Sequence, residues 1–266
     1  MRISFITANY VAREVGYALR PFSWGAADRA TVEAFHGPRF AEKFNELCRL
    51  VREAGFTHID LWVAHLNPFV ATRTMVDEAA AILKSHGLTV VAYTAGLGRP
   101  DMSRAEAEKV YQTARAIGAP LLGVGLHPSN ARLAYELGKE YGIRYAIENH
   151  PERTPGELLA RIGEYGEVIG LTQDTGFWGM FGYDAVKATH ELKDHLLHVH
   201  LKQVRQVGDE WRTCAYDEGV VDIAGVVNAL REIGYQGAVS IEHEPHDEDP
   251  MPTVIRSARL LREWLA

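Results

Sequence analysis

Cysteine is nearly missing from this chain. Cys48 and Cys214 are the only two, so no disulfide framework supports the fold and a reducing cytoplasm is the simplest home. Cys48 lies in the run FNELCRLV and reads as a small buried apolar residue. No apolar stretch reaches the length of a membrane span, and the N-terminus enters a strand directly instead of a secretory apolar region. Positive charge is also in short supply. With 28 Lys and Arg against 35 Asp and Glu, the net charge of −7 argues against a nucleic-acid or anionic-membrane partner, which needs a cationic face. No Gly-rich dinucleotide fingerprint follows the first strand, which exits as ITANYVAREVGY, and no phosphate-cradling loop is evident elsewhere. Low-complexity segments, linkers and signs of a second domain are lacking too, so residues 1–266 read as one domain.

What is there is alternation. An apolar run at 2–7 is followed by a Gly- and aromatic-containing stretch to about residue 38, then by helical spacing over 40–54. Strand and helix signals then pair as 57–63 with 72–86, 89–95 with 103–117, 121–127 with 130–141 and 144–149 with 156–165. The last three pairs are 168–174 with 184–194, 196–202 with 223–233, and 238–244 with 253–265. Gly55, Gly87, Gly118, Gly142 and Gly234 each stand where a left-handed helix cap is expected before the next strand, and Ser103 and Asp222 suit N-caps. The strands are continuously apolar, as strands covered on both faces should be. Eight such units predict a single (β/α)8 TIM barrel, with a doubly wound sheet as the alternative.

Functional residues of a TIM barrel stand at the C-terminal strand ends. Four late strands end on polar chemistry: RYAIENHP on Glu148 and His150, IGLTQD on Asp174, LHVHLK on His200, and AVSIEHE on Glu242. Glu148, Asp174 and His200 are spaced by 26 and 26 residues, and Glu242 follows after 42, the excess being a loop over about 203–221. Three carboxylates and an imidazole crowded into a barrel mouth would lose several kcal/mol each on desolvation unless a cation or several donors compensate. Each could instead make its own internal ion pair, but four at matching strand ends favour one divalent ion. Oxygen ligands with a single nitrogen suit Mn²⁺ first, with Mg²⁺, Zn²⁺ or Co²⁺ as substitutes.

The motifs IENH, QDTG, HVHLK and IEHE resemble the metal-binding signature of the sugar phosphate isomerase/epimerase family, the xylose-isomerase-like TIM barrels. The resemblance spans essentially the whole chain, with its specific motifs in the second half. It implies that Glu148, Asp174, His200 and Glu242 bind one metal. It also implies that Glu148 and Glu242 act as acid/base groups on either face of an α-hydroxyketone. Two positions depart from the pattern: Phe177 and Trp178 follow Asp174-Thr175-Gly176 where many sugar epimerases continue to a histidine, and Gln203 stands where the family has an aspartate.

The remaining candidates for substrate contact are His65 and His127 after the second and fourth strands, His150, Lys202, Arg205 and Trp178. His198 is read as support for the barrel interior and Glu244 as a partner of the ligands. The expected function is metal-dependent isomerisation or epimerisation of a sugar, polyol or related hydroxyketone through an enediolate. The alternative is a lyase on an oxidised sugar or 3-keto-glycoside, favoured by aromatic loops at Tyr10–Trp24 and Phe177–Tyr183 that would form a dry lid or pack on a second subunit. An endonuclease of this fold would need a basic groove and more histidine ligands, and a non-catalytic barrel would be expected to have lost a ligand.

Overall fold

The computed structural model describes residues 1–266. Eight parallel strands close into a barrel: β1 Arg2–Ile6, β2 His58–Trp62, β3 Thr89–Thr94, β4 Leu121–Val124, β5 Arg144–Glu148, β6 Ile169–Asp174, β7 Leu196–Lys202 and β10 Ala238–Glu242. Between the last two, β8 Val204–Val207 and β9 Glu210–Thr213 form an antiparallel hairpin outside the barrel. The outer helices are α1 Trp24–Phe35, α2 Phe40–Glu53, α3 Arg73–Ser85, α4 Arg104–Ala116, α5 Ala131–Tyr141, α6 Pro155–Ala160, α7 Thr175–Phe181, α8 Ala185–Leu192, α9 Ile223–Glu232 and α10 Met251–Leu265. The expected TIM barrel is what the chain forms. No helix is long and apolar enough to cross a membrane.

Local signals explain most boundaries. Ser103 caps α4 through a reciprocal capping box with Glu106, and Asp222 caps α9. The five glycines that precede β2, β3, β4, β5 and β10 all adopt positive φ, between 61° and 84°. Cys48 is fully buried on the inner face of α2, where burial pushes its thiol up to about 12.

Three expectations shift. The aromatic stretch after β1 contains a helix, α1, started by Ser23 accepting from Ala26 N–H. The helix expected over 156–165 is only α6, because beyond Ala160 the backbone tightens to three-residue bonds (Arg161 to Leu158, Ile162 to Leu159) and Gly163 turns left-handed at φ 56°. The long loop over 203–221 contains the hairpin and is pinned by Gln203. Its amide donates to the Val221 and Tyr216 carbonyls at 2.8 and 3.1 Å and accepts from the Val204 and Val221 N–H groups. That gives the residue replacing the family's aspartate a structural task.

Register places the strand ends. Asp174 pairs with His200, as the 26-residue spacing anticipates. Glu148, however, pairs with Thr172, and Glu242 with Lys202, so neighbouring strands step by two residues. Strands tilted around a barrel need such steps to bring side chains to one height. Polar strand ends from β5, β6, β7 and β10 therefore meet above a packed interior.

Candidate active site

At the C-terminal end of the barrel lies a cavity of about 840 Å³ whose floor includes Glu148, His200, Lys202, Glu242 and Glu244. Glu148 Oε1 stands 2.5 Å from His200 Nδ1, and Glu242 Oε2 stands 3.3 Å from the same nitrogen. Asp174 is fully buried and divides its two oxygens. Oδ1 accepts from the Gly176 and Phe177 N–H groups at the start of α7, at 2.7 and 3.3 Å. Oδ2 lies 2.9 Å from Lys202 Nζ, out of hydrogen-bond alignment. Asn149 locks this corner by bonding both ways with the Asp174 backbone, at 2.7 and 2.9 Å. Glu148, His200 and Glu242 are thus brought together, while Asp174 joins them through Lys202 and lies outside the cavity lining.

The donor set fits a cation. Ligand atoms of Glu148, His200 and Glu242 lie within 4.8 Å of one another. Asp174 Oδ2 and Glu242 Oε2 are buried without an aligned hydrogen bond, their nearest cationic neighbours being Lys202 Nζ at 2.9 Å and His200 Nδ1 at 3.3 Å. Lys202 adds a fixed positive charge beside them, its ammonium 3.0 Å from Glu242 Oε1 and 3.1 Å from Glu244 Oε2. Thr175 holds the Lys202 backbone in place through bonds of 2.8 and 2.9 Å.

The electrostatics follow from these contacts. Burial would raise the Glu148 carboxyl, but the imidazoles of His200 and His150 overcome it and hold it at about 2. Burial would strip the proton from His200, yet Glu148 and Glu242 hold it well above the usual imidazole range. Lys202, likewise opposed by burial, is kept protonated by Asp174, Glu242 and Glu244. Burial raises Glu244 well above the ordinary carboxylate range.

Below this layer is a residue the strand-end reading missed. Asp60, in the middle of β2, is fully buried, and its Oδ2 meets His198 Nε2 at 2.9 Å and His200 Nε2 at 3.1 Å. The signal was a lone carboxylate inside the apolar strand HIDLW. Such a group needs donors around it.

The secondary candidates divide. His150 lines the cavity, with Nδ1 3.5 Å from Glu148 Oε2 and its ring edge-on to Phe177 at 4.0 Å. Lys202 and Arg205 also line it, Arg205 being exposed and 3.3 Å from Glu218. His65 does not reach it. Its ring is buried against Phe35 and Trp62, Nδ1 sits 3.0 Å from Thr7 Oγ1, and burial pulls its pKa down to about 3. His127 caps the short turn at Pro128–Asn130 through Ser129, outside the cavity lining. Trp178 is corrected as well. One helical step beyond Phe177 turns it into the core, where it is fully buried. Phe177 and Met180 face the cavity instead, joined by Trp24, Trp62 and Trp211 from other segments.

A model of the xylose isomerase-like TIM barrel family matches residues 48–264. The chain belongs to this family. Among curated relatives, this xylose isomerase-like barrel is 26% identical to the 2-oxo-tetronate isomerase of Haemophilus influenzae, over 79% of this chain and 95% of that protein. It is 28% identical to an uncharacterised protein of Methanocaldococcus jannaschii, over 49% of this chain but only 45% of that protein's length. Two solved structures share the fold at a TM-score of 0.70. The probable 3-DHS dehydratase AsbF of Bacillus anthracis is 14% identical, covering 98% of this chain and 99% of that one. A xylose isomerase-like barrel of Mycobacterium smegmatis in complex with magnesium is 18% identical, covering 85% and 89%.

Proposed function

We propose that the chain is a divalent-metal-dependent isomerase or epimerase of a sugar, polyol or related hydroxyketone, acting through an enediolate. The observation that carries this reading is the convergence of Glu148 and Glu242 on His200 Nδ1, with Asp174 Oδ2 and Glu242 Oε2 lacking an aligned hydrogen bond beside them. Glu148, Asp174, His200 and Glu242 would hold the ion, and this oxygen-rich set with one nitrogen suits Mn²⁺, Mg²⁺ serving as a substitute. A divalent ion there supplies Lewis-acid stabilisation, worth several kcal/mol, to negative charge developing on substrate oxygens. Glu148 and Glu242 supply the base and acid: they belong to different strands, so one can take a proton from carbon and the other return it on the opposite face. His150 and Lys202 orient the hydroxyls between them. The magnesium-bound barrel and the 2-oxo-tetronate isomerase among the similar proteins support the reading.

A lyase reading has one observation in its favour. About 840 Å³ is near the upper end of the range for drug-sized ligands, and Trp24, Trp62, Phe177 and Trp211 make much of the wall apolar. A keto-glycoside would fill this space better than a bare sugar. The decisive experiment incubates metal-analysed protein in D₂O with candidate ketoses and keto-glycosides. Close to one divalent ion per chain with deuterium uptake at carbon supports isomerisation. Aglycone release moves the assignment to elimination, and a chain with neither metal nor exchange sinks both.

A further inference from the structure

We propose that Asp60 is a positioning residue that holds both His198 and His200 with their protons on Nε2, so that His200 presents Nδ1 to the carboxylates above it. The inference rests on reading Glu148, Asp174, His200 and Glu242 as metal ligands.

Proton counting carries the argument. An ionised carboxylate only accepts, so every polar neighbour within bonding distance must donate to it. Thr94 Oγ1 donates to Asp60 Oδ1 at 2.6 Å. Around Oδ2 stand His198 Nε2 at 2.9 Å, His200 Nε2 at 3.1 Å and Ser240 Oγ at 3.1 Å. Ser240 has one hydroxyl proton and spends it on Asp60, leaving its oxygen to accept from His198 Nε2 at 3.0 Å or Ser4 Oγ at 2.8 Å, the latter also facing the Val239 carbonyl. Both imidazoles therefore carry Nε2–H. His200 is then fixed with its other nitrogen 2.5 Å from Glu148 and 3.3 Å from Glu242, the nitrogen that would exchange its proton for an ion.

The same contacts account for a second group of possible ligand atoms. Asp60, His198 and His200 place ligand atoms within 4.8 Å of one another, close enough to hold an ion. Three donors around Oδ2 satisfy that oxygen without an ion. The cluster is a proton network from β1, β2, β3, β7 and β10 that orients one ligand from beneath. Carboxylate–histidine–metal arrangements of this kind fix both ring orientation and ligand basicity.

The test uses the full chain and Asp60→Asn, which keeps shape but replaces an acceptor with a donor. In the metal-free protein, ¹⁵N-resolved imidazole spectra should show slowly exchanging Nε2–H signals for His198 and His200, and the substitution should remove them. Titration with Mn²⁺ alone should show affinity falling roughly 10- to 100-fold. Should the Asn variant fail to fold, Thr94→Val, which frees Oδ1, takes its place with the same two readouts, a partial loss of signal and a several-fold weaker Mn²⁺ affinity. A folded variant with unchanged Mn²⁺ affinity and unchanged Nε2–H signals overturns the proposal. If wild type binds no Mn²⁺, the proposed function fails, and the His198 signal then decides by itself whether Asp60 clamps the imidazoles.

Discussion

The two halves of the barrel end their strands differently. Strands β1 to β4 end on Ile6, Trp62, Thr94 and Val124, all of which line the cavity with little charge. Strands β5, β6, β7 and β10 end on Glu148, Asp174, Lys202 and Glu242. One wall thus provides shape and dryness, and the other provides charge. The arrangement is physically useful because a water-poor wall strengthens the electrostatics of the charged wall facing it. Asp60 is the exception, a carboxylate from the apolar half that reaches across the barrel one layer lower to serve the charged half.

The largest effect that can test this division is expected at Glu148. Glu148→Gln keeps the side-chain shape but removes the proposed base, so proton exchange at the substrate carbon should fall by about 10²- to 10⁴-fold with the fold intact. Retained exchange would take the chemistry off this wall.

The next test sets two tryptophans against each other. Trp178 is fully buried in the core, so Trp178→Ala should cost about 3–5 kcal/mol, seen as a melting temperature lower by roughly 10 °C. Its preference among substrates should not change. Trp24 is 42% exposed on the cavity wall, and Trp24→Ala should leave melting nearly unchanged. It should lose about tenfold in kcat/KM on substrates with an apolar portion, corresponding to about 1.4 kcal/mol, and little on bare sugars. A selective kinetic loss at Trp178 and none at Trp24 would reverse the assignment of the apolar wall.

The smallest effect concerns charge in the apolar half. His65 is buried neutral, with its pKa depressed to about 3 in the folded state against about 6.5 unfolded. Between these values the unfolded chain binds the extra proton, so this stability is complete above pH 6.5 and declines as pH falls toward 3. Between pH 7 and pH 5.5, wild type should lose about 1 kcal/mol more than His65→Gln, measured by denaturant titration at each pH. Parallel curves for the two proteins would show that His65 accepts a proton in the fold.

Much of the site was legible because it sits on strands. A strand end has one direction and a two-residue period, so Glu148, Asp174, His200 and Glu242 could be assigned to strand ends, although the equal 26-residue spacing between units matched the register only for Asp174 and His200. His65, His127 and Trp178 lie on short turns or the first turn of a helix, where one residue more or less rotates a side chain from cavity to core. Phe177 and Trp178 show this directly, being adjacent in sequence yet one facing the cavity and the other the core. Helix α1 was hidden because its buried stripe, Ala27, Thr31 and Phe35, contains only one large apolar residue.

By itself the sequence determined the eight β/α units, the glycine and Ser/Asp caps that bound them, and which side chains end the late strands. These are local properties, set by backbone conformation and by hydrophobic periodicity over about ten residues. Only the tertiary structure decided that Asp60 meets His198 and His200, 138 and 140 residues away, and that Lys202 stands among Asp174, Glu242 and Glu244. It also decided that three tryptophans from separate segments, Trp24, Trp62 and Trp211, line the cavity. Those contacts exist because the barrel closes: strand tilt and register steps across eight strands fix which distant side chains share a layer, and no local window of sequence contains that geometry.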